Sequence, residues 1–254
     1  MKMTVTLSPE YPSLRPWVES VPRLFDEGLG TLLYQGRNVV RQFETAGLQL
    51  VVKRFKRHDL LKAVAYSFWR KNKAVRSYEN AALLRLRGFH SPHEIACIEM
   101  RSLGMLRQVY YICLYTDALP IRPLLIEQQS FDRPLATAYA RYVARLHEAG
   151  VLHRDLNPTN VLFREHDGHY DFELIDINRM CFYDTPVPKA ACMENLTLFY
   201  WLTPAYRYIL SEYARQRGWT DADVAEAVRV KQRHDRHWIM RKQITHLGNY
   251  EVLH

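Results

Sequence analysis

The chain has 254 residues, of which 48% are hydrophobic and 24% are charged. This length and balance indicate a globular protein of one large domain or two closely joined lobes, and they exclude a disordered or low-complexity chain. The net charge of +8 favours anionic partners such as nucleotides, phospholipid headgroups, acidic glycans or nucleic acid, without choosing among them.

Cysteine spacing and hydropathy narrow the setting of the protein. The cysteines show no Cys-x-x-Cys spacing, so we expect reduced thiols rather than a zinc site or a set of disulfides. They are Cys97, Cys113, Cys181 and Cys192. Residues 1–14 lack the continuous apolar core of a signal peptide, and the apolar run 196–202 is too short to cross a bilayer. We therefore expect a cytoplasmic protein.

The first half of the chain predicts short strands around one helix. β-rich runs bounded by turn signals indicate strands, and a run of helix formers that ends at Gly88 indicates a helix. The predicted strands are 31–34, 39–43, 48–52, 95–100 and 109–114, and the predicted helix is 71–87. The irregular stretch 117–123 is the expected boundary between two lobes.

The second half predicts mainly helices. A helix over 131–149 would present one apolar face, formed by Leu135, Tyr139, Val143 and Leu146. Strands at 160–163 and 170–175 are joined by an Asp-Gly hairpin signal at 167–168. Helices over 193–217 and 221–247 follow. Pro204 is expected to end or kink the first of them, and Asp221 to act as the N-cap of the second.

The most informative motif is the run HRDLNPTN at residues 153–160. It has the spacing of the protein-kinase catalytic loop: His-Arg-Asp, four intervening residues, then Asn. Phosphoryl transfer from ATP needs a carboxylate near the attacking hydroxyl, so Asp155 is the predicted catalytic base. The alternative is an aspartate that caps a local turn.

Asn160 and Asp176 are the predicted magnesium ligands. Asp176 directly follows the apolar strand candidate 172–175. Mg²⁺ prefers oxygen ligands, which carboxylate and amide side chains supply. The sequence therefore predicts ATP and Mg²⁺ as cofactors. The alternative for both residues is capping of nearby backbone groups.

Lys53 and Glu79 are the predicted pair that holds the nucleotide. Lys53 ends the apolar run 50–52, where a kinase lysine reaches the α- and β-phosphates, and Glu79 in the next helix could form an ion pair with it. A solvated strand-end lysine and a surface glutamate are the alternatives.

The phosphate-covering loop is predicted between the first two strands. A kinase would show several glycines there, but this chain has only Gly36, so Arg37 and Asn38 would contact phosphate through their side chains. An ordinary hairpin turn is the alternative.

Together these elements predict an α+β, bilobal protein-kinase-like fold. Residues 1–116 would form a small β-rich N-lobe and residues 117–254 a larger helical C-lobe. The sequence Asp176-Ile177-Asn178 replaces Asp-Phe-Gly, and we expect Asn178 to tolerate the left-handed backbone that the glycine would adopt. A short segment between Asp176 and a helix near Glu194 leaves little room for a peptide, so the acceptor is expected to be a small molecule or glycan.

Several segments resemble the bacterial lipopolysaccharide kinases, the Kdo and heptose kinase family, which have a protein-kinase-like fold. The segments are 34–38 (YQGRN), 50–56 (LVVKRFK), 73–81 (KAVRSYENA), 153–160 (HRDLNPTN) and 174–179 (LIDINR). The resemblance implies ATP-dependent phosphorylation of a sugar hydroxyl in the inner core of lipopolysaccharide, at the cytoplasmic face of the inner membrane. It implies Asp155 as the catalytic residue and Lys53, Asn160 and Asp176 as nucleotide or magnesium contacts.

Two basic stretches suggest further partners. Residues 53–76 combine nine Lys or Arg residues with Tyr66, Phe68 and Trp69, which suits an anionic membrane surface, and residues 229–242 are also basic. Solvated helix faces are the alternative. No nucleic-acid-binding signature accompanies the charge, so nucleic acid is not expected.

Three readings of function remain open from sequence. The first is a kinase of a lipid-linked sugar. The second is a small atypical protein kinase or a small-molecule phosphotransferase, because aminoglycoside and choline phosphotransferases carry similar Asp-x-x-x-x-Asn loops. The third is a catalytically inactive, nucleotide-binding adaptor, which the thin glycine loop at Gly36 would suit.

Overall fold

The structure is a computed structural model that describes residues 1–56 and 71–250, with side chains described to residue 243. The chain divides into two compact units. The first unit contains Met1–Ala118 and Glu173–Arg179, and the second contains Leu119–Phe172 and the chain from Met180 onward. The first is rich in strands and the second in helices, which confirms the α+β class.

The first unit is built on a six-stranded antiparallel sheet. Its strands are β1 (Lys2–Leu7), β2 (Thr31–Gln35), β3 (Val39–Thr45), β4 (Leu48–Arg54), β5 (Glu94–Ser102) and β6 (Met105–Leu114). Their spatial order is β1-β5-β6-β4-β3-β2. Each strand predicted for this half is present. The sequence prediction missed β1, an edge strand whose side chains are mostly exposed.

Two helices cover the two faces of this sheet. Helix α1 (Arg15–Asp26) buries Val18, Val21 and Phe25 in one apolar cluster with β4, β5 and β6. Helix α2 (Lys73–Leu86) packs Ala74 into a second cluster, against alternate residues of β5 and β6. Because neighbouring residues of a strand point to opposite faces, each strand serves both clusters.

The sequence prediction also missed α1. Its buried residues follow the spacing of one helix face, but Pro22 lies inside it. Proline in a helix interior removes a backbone donor and usually ends or kinks a helix, so the pattern did not indicate one.

The second unit combines helices with two small sheets. The helices are α3 (Arg133–Glu148), α4 (Lys189–Leu196), α5 (Pro204–Arg217) and α6 (Asp221–Tyr250). The strands are β7 (Leu119–Pro120), β8 (Val151–His153), β9 (Val161–His166), β10 (His169–Leu174) and β11 (Met180–Phe182). One sheet has the order β10-β9-β7, and the other pairs β11 with β8.

Two local predictions in this half are confirmed. The hairpin between β9 and β10 turns at Asp167 and Gly168, whose φ angles of 49° and 78° suit a tight two-residue turn. The predicted apolar face of α3 is buried, with Tyr139 and Val143 exposed by 2% and 0%.

The helix predicted over 193–217, which Pro204 was expected to end or kink, is broken before Pro204. The chain forms α4 and α5 instead, and Pro204 is the first residue of α5, a position where its missing N–H costs nothing. The Thr203 hydroxyl caps this helix by accepting from the Tyr206 N–H at 3.2 Å.

The predicted N-cap of α6 is also wrong, because Thr220 rather than Asp221 fills that role. The Thr220 hydroxyl accepts from the Asp223 N–H at 3.3 Å, and the Asp223 carboxylate accepts from the Thr220 N–H at 3.0 Å. This reciprocal pair is a capping box, in which a residue three positions on completes the cap.

Two further observations concern thiols and membranes. All four cysteines are free, as predicted. Among the residues that the structure describes, helices lack a stretch both long and apolar enough to span a bilayer.

The core of the first unit makes a stability prediction. Leu50→Ala should lower the free energy of unfolding by roughly 2–5 kcal/mol, because Leu50 is fully buried in the cluster that includes α1. Leu86→Ala is the matched control, since Leu86 is 82% exposed, and should change it by less than about 0.5 kcal/mol. Urea unfolding followed by circular dichroism measures both values. Equal losses would contradict this packing.

Candidate active site

The loop 153–160 lies in the second unit, between β8 and β9. Its backbone at Asp155 is held on both sides. The Asp155 N–H donates to Nδ1 of His153 at 3.0 Å, and the Asp155 carbonyl accepts from the side-chain amide of Asn160 at 2.9 Å. His153 is 1% exposed, so a buried ring fixes the residue that the sequence predicts as the catalytic base.

The carboxylate of Asp155 is half-buried rather than enclosed. One oxygen accepts from the Asn157 side-chain amide at 3.2 Å. The Asn157 side-chain oxygen in turn accepts from the Thr159 N–H at 3.0 Å. The loop therefore combines a constrained backbone with a carboxylate that solvent can reach, which suits a group that must meet a hydroxyl.

Asn160 is oriented by the same loop. Its amide nitrogen donates to the Asp155 carbonyl, which leaves the Asn160 side-chain oxygen directed away from that bond. Asn160 is half-buried. The structure thus brings Asp155 and Asn160 together, as the motif predicts.

Lys53 and Asp176 meet in the first unit. The Lys53 Nζ lies 2.8 Å from Oδ1 of Asp176, and both side chains are partly buried. The same Asp176 oxygen accepts from the Asn178 side-chain amide at 2.6 Å. The two residues are 123 positions apart in sequence, and the prediction assigned both of them to phosphate and metal binding.

The alternation of β4 explains why Lys53, rather than its basic neighbour, holds this position. Leu50 and Val52 lie in the cluster with α1, and Arg54 follows on the same face, with its guanidinium 5.1 Å from the Phe25 ring centre. Lys53 lies on the opposite face, with its Nζ 5.2 Å from the Phe55 ring centre. The structure thus separates the two cations by strand face, in agreement with the choice of Lys53 from its strand position.

The predicted ion pair between Lys53 and Glu79 is wrong. Glu79 pairs with Lys71, its carboxylate 2.6 Å from the Lys71 Nζ, whereas Lys53 pairs with Asp176. Helix α2 holds the segment after Asp176 through another residue: the Asn80 side-chain amide donates to the Ile177 carbonyl at 2.7 Å. The neighbour of Glu79 thus provides the link from this helix.

The expectation for Asn178 is also corrected. The left-handed residue is Asp176 itself, with φ of 55°, while residues 177–179 form a short 3₁₀ turn. A non-glycine residue in this region carries modest backbone strain, which its side-chain contacts must offset. The two bonds to the Asp176 carboxylate supply such contacts.

The predicted phosphate loop forms a tight turn between β2 and β3. The Gly36 N–H donates to the Asn38 carbonyl at 3.0 Å, and the Asn38 side-chain oxygen accepts from the Lys56 N–H at 3.2 Å. With Arg37, these residues line an open groove that Arg54 and Lys56 also border. The groove is basic, yet these contacts equally suit an ordinary turn, so the phosphate role stays a prediction.

Lys73 is a cation that the sequence prediction overlooked. Burial lowers the pKa of Lys73, and the charges of Arg37 and Lys53 lower it further, while Asp176 opposes them. Lys73 is the first residue of α2, where the helix dipole disfavours a cation. A lysine at this unfavourable position could have indicated a functional residue from the sequence. Arg37 and Lys53 each lie close enough to Lys73 to repel its charge, and a bound polyanion would relieve this repulsion.

Each unit, taken separately, contains side chains that suit Mg²⁺ or a nucleotide. Asp176 offers a partly exposed carboxylate and Asn160 an amide oxygen, the oxygen donors that Mg²⁺ prefers. Within the described residues, His, Cys, Asp and Glu do not cluster in threes. Mg²⁺ at a nucleotide needs only one or two carboxylates, because phosphates and water complete its shell.

Part of the basic-aromatic segment 53–76 lies outside the described residues, because the structure describes none of 57–70. Its predicted membrane contact therefore stays a prediction. The short segment beyond Asp176 is described: α4 begins at Lys189, five positions before the predicted Glu194. The room for a docked peptide is thus smaller than the sequence indicated.

Comparisons with known proteins identify a family and a fold. A sequence profile described as "Lipopolysaccharide kinase (Kdo/WaaP) family" matches residues 34–230. The solved structure "WaaP in complex with acyl carrier protein" is similar, with a TM-score of 0.62, 18% identity, and coverage of 93% of this chain and 99% of that chain. No curated protein sequence matches significantly. The structural match confirms the protein-kinase-like fold.

The pairing of Lys53 predicts which variants weaken nucleotide binding. Lys53→Met should weaken MgATP binding roughly tenfold to a hundredfold, because losing a charged hydrogen bond costs about 1.5–3 kcal/mol. Glu79→Gln should change the affinity less than about twofold, since Glu79 pairs with exposed Lys71. Isothermal titration calorimetry measures both.

Arg23→Met is the matched control, because Arg23 is an exposed cation paired with Glu27 on α1. It should leave MgATP affinity unchanged. Equal weakening by Glu79→Gln and Lys53→Met would instead indicate that an ion pair between Lys53 and Glu79 supports MgATP binding.

Proposed function

Because the chain belongs to the lipopolysaccharide kinase (Kdo/WaaP) family, whose members phosphorylate lipopolysaccharide sugars, we propose that it transfers the γ-phosphoryl group of ATP to an inner-core sugar hydroxyl in a Mg²⁺-dependent reaction. The acceptor would be Kdo or heptose on lipid A. The observation that carries this proposal is the loop 153–160, in which the Asp155 backbone is fixed and its carboxylate stays half-exposed.

In this proposal Asp155 is the catalytic residue. Its carboxylate orients the acceptor hydroxyl and takes the proton as the phosphoryl group transfers. The backbone bonds at Asp155 place the carboxylate before substrate arrives, which reduces the entropy lost on reaching the reactive geometry.

The nucleotide and metal roles follow the residues that the sequence predicted. Lys53 neutralises phosphate oxygens, with Arg37 and Lys73 adding positive charge and Gly36 and Asn38 forming the turn nearby. Asn160 and Asp176 would hold Mg²⁺, which supplies neutralisation of the phosphate charge when bound. Since Lys53 pairs with Asp176 at 2.8 Å, the lysine also holds a metal-binding carboxylate in place.

The acceptor class is inferred from the short segment between Asp176 and α4. The segment offers little surface on which an extended peptide could bind, whereas a sugar hydroxyl needs access only to a small area. Phosphate transfer to protein in an acceptor-free lysate would favour the atypical protein kinase instead. Transfer to a soluble amino sugar or choline would favour a small-molecule phosphotransferase.

The inactive adaptor is the remaining alternative. It predicts that MgATP raises the melting temperature, because a ligand that binds the folded state stabilises it, while no acceptor yields phosphorylated product. The paired Lys53 and Asp176 and the constrained Asp155 favour the enzyme over the adaptor.

The central prediction concerns Asp155. Asp155→Asn should lower kcat roughly 10²–10⁴-fold, because loss of a general base removes that much acceleration, while MgATP affinity stays close to the wild-type value. A radiolabelled-phosphate assay with a Kdo–lipid A acceptor measures kcat, and thermal shift measures binding. Asp171→Asn removes the same charge from an exposed strand position and is the control. Wild-type turnover by Asp155→Asn would exclude Asp155 as the base.

Helix α6 carries a proposed contact with the anionic membrane surface that presents the acceptor. Trp238, Ile239 and Met240 are 41%, 44% and 49% exposed, and exposed Arg236 and Arg241 flank them. Exposed aromatic and apolar side chains among cations suit an interface with anionic headgroups. The peripheral inner-membrane location is proposed on this surface and on segment 53–76.

Binding to anionic vesicles tests this surface. Arg236→Glu/Arg241→Glu should weaken sedimentation with phosphatidylglycerol vesicles by about tenfold or more, since each basic residue contributes roughly 1 kcal/mol near such a surface. Arg141→Glu/Arg215→Glu makes the same charge change at exposed positions on α3 and α5 and should bind nearly normally. Equal weakening by both pairs would reduce the effect to net charge alone.

A further inference from the structure

A buried chain of polar side chains joins helix α5 to the loop that carries Asp155. Its members are Tyr213, His147, Asn195 and His153, exposed by 0%, 1%, 5% and 1% respectively. All lie in the second unit. No motif in the sequence indicated this connection, because its members come from four separate elements.

Asn195 stands at the centre of this chain. Its side-chain nitrogen lies 2.8 Å from the His153 carbonyl, and its side-chain oxygen lies 3.0 Å from Nε2 of His147. A backbone carbonyl only accepts hydrogen bonds, so the Asn195 amino group must face it. The Asn195 oxygen therefore faces His147.

The direction of every other bond follows from Asn195. An amide oxygen only accepts, so Nε2 of His147 carries the proton and Nδ1 is an acceptor. Nδ1 lies 2.8 Å from the Tyr213 hydroxyl, which must then donate. Each donor in the chain thus points toward the loop.

The state of His147 keeps this arrangement constant. Burial lowers the pKa of His147 to about 4, although the bond to Asn195 opposes this and Arg217 assists it. The ring is therefore neutral near pH 7, with its single proton on Nε2. A neutral ring of fixed tautomer can orient Asn195 in only one way.

At the loop, the chain ends on a carbonyl that has two partners. The His153 carbonyl accepts from Asn195 and from the Leu156 N–H at 3.1 Å. The His153 ring meanwhile accepts from the Asp155 N–H. Displacing the His153 backbone would break these contacts and release Asp155.

We propose that Asn195 is a positioning residue for Asp155: its amide, oriented by His147 and Tyr213, anchors the His153 carbonyl and so sets the backbone from which the Asp155 carboxylate projects. This inference rests on the proposed catalytic role of Asp155. Asn195 does not touch the reacting groups in this assignment, and it acts through His153.

Asn195→Asp distinguishes positioning from general structural support. A protonated carboxyl can replace the amide, because its O–H donates to the His153 carbonyl while its other oxygen accepts from His147. An ionised carboxylate cannot donate, so it repels the His153 carbonyl. Burial raises the pKa of such a carboxyl, so the stabilising acid form is present at low pH and lost as pH rises through that pKa.

The kcat of Asn195→Asp, divided by the wild-type kcat, should therefore rise as pH falls. At pH 8.5 we expect a loss of roughly 10- to 100-fold, with KM for ATP within about twofold, and at pH 5.5 a recovery of at least about fivefold. Dividing by the wild-type profile removes the titration of neighbours that both proteins share. Those near the substituted site are His147, His153, Tyr213, Cys192, and the Arg217–Glu148 pair.

Two more variants complete the test. Asn195→Leu can never donate, so its kcat should be low at every pH. Thr197→Val is the matched control, since Thr197 is also buried at the end of α4 and its hydroxyl donates to the Glu194 carbonyl at 2.7 Å, within its own helix. It should keep kcat within about twofold of wild type. If Asn195→Leu fails to fold, Tyr213→Phe takes its place. It removes only the first donor of the chain, so its loss of kcat should be smaller.

Hydrogen exchange gives a readout that does not require catalysis. Peptides covering residues 151–160 should lose protection in Asn195→Leu at pH 7.5 and keep it in Thr197→Val. A pH-independent kcat ratio for Asn195→Asp, or unchanged protection in Asn195→Leu, overturns the positioning role. Asp155→Asn activity tests the proposed function separately, because that variant leaves Asn195 and its partners intact.

Discussion

The bond between the Asp155 N–H and the buried His153 ring is the constraint on which the conformation of loop 153–160 depends. A buried polar group without a partner costs roughly 1–3 kcal/mol, so the ring, the His153 carbonyl and the Asn195 amide must be satisfied together. Moving the Asp155 backbone would break its N–H bond to the His153 ring and its carbonyl bond to Asn160. Asp155 itself remains partly exposed, so the loop combines a constrained backbone with a side chain that is not fully enclosed.

A second constraint comes from the alternation of the β4 side chains between the two faces of the sheet. Leu50 and Val52, both fully buried, fix which face of this strand meets α1. A shift of one residue in register would exchange the faces of Lys53 and Arg54. Burial of Leu50 and Val52 in the core therefore places Lys53 on the opposite face of the sheet, where it pairs with Asp176. Packing and site geometry in the first unit are consequences of the same alternation.

The sequence predicted the parts of this protein that depend on local patterns. Strand runs, the Asp167-Gly168 turn and the apolar face of α3 all follow from residues close together in the chain. The loop motif likewise brought Asp155 and Asn160 together. Two failures were local as well. Pro22 concealed α1, and the capping box at Thr220 depended on a side chain three residues away.

The ion pairs of the first unit could not be predicted because they depend on contacts distant in sequence. Glu79 occupies the expected helix, yet Lys71 lies nearer to it, and Asp176 satisfies Lys53. This exchange has an electrostatic consequence. The charges of Arg37 and Lys53 contribute to the lowered pKa of Lys73, and the Asp176 carboxylate opposes them. An ion pair between Glu79 and Lys53 would cancel part of that positive potential. With Glu79 paired to Lys71, the acidic partner of Lys53 is Asp176, and the remaining positive charge of Arg37 and Lys73 would favour a bound polyanion.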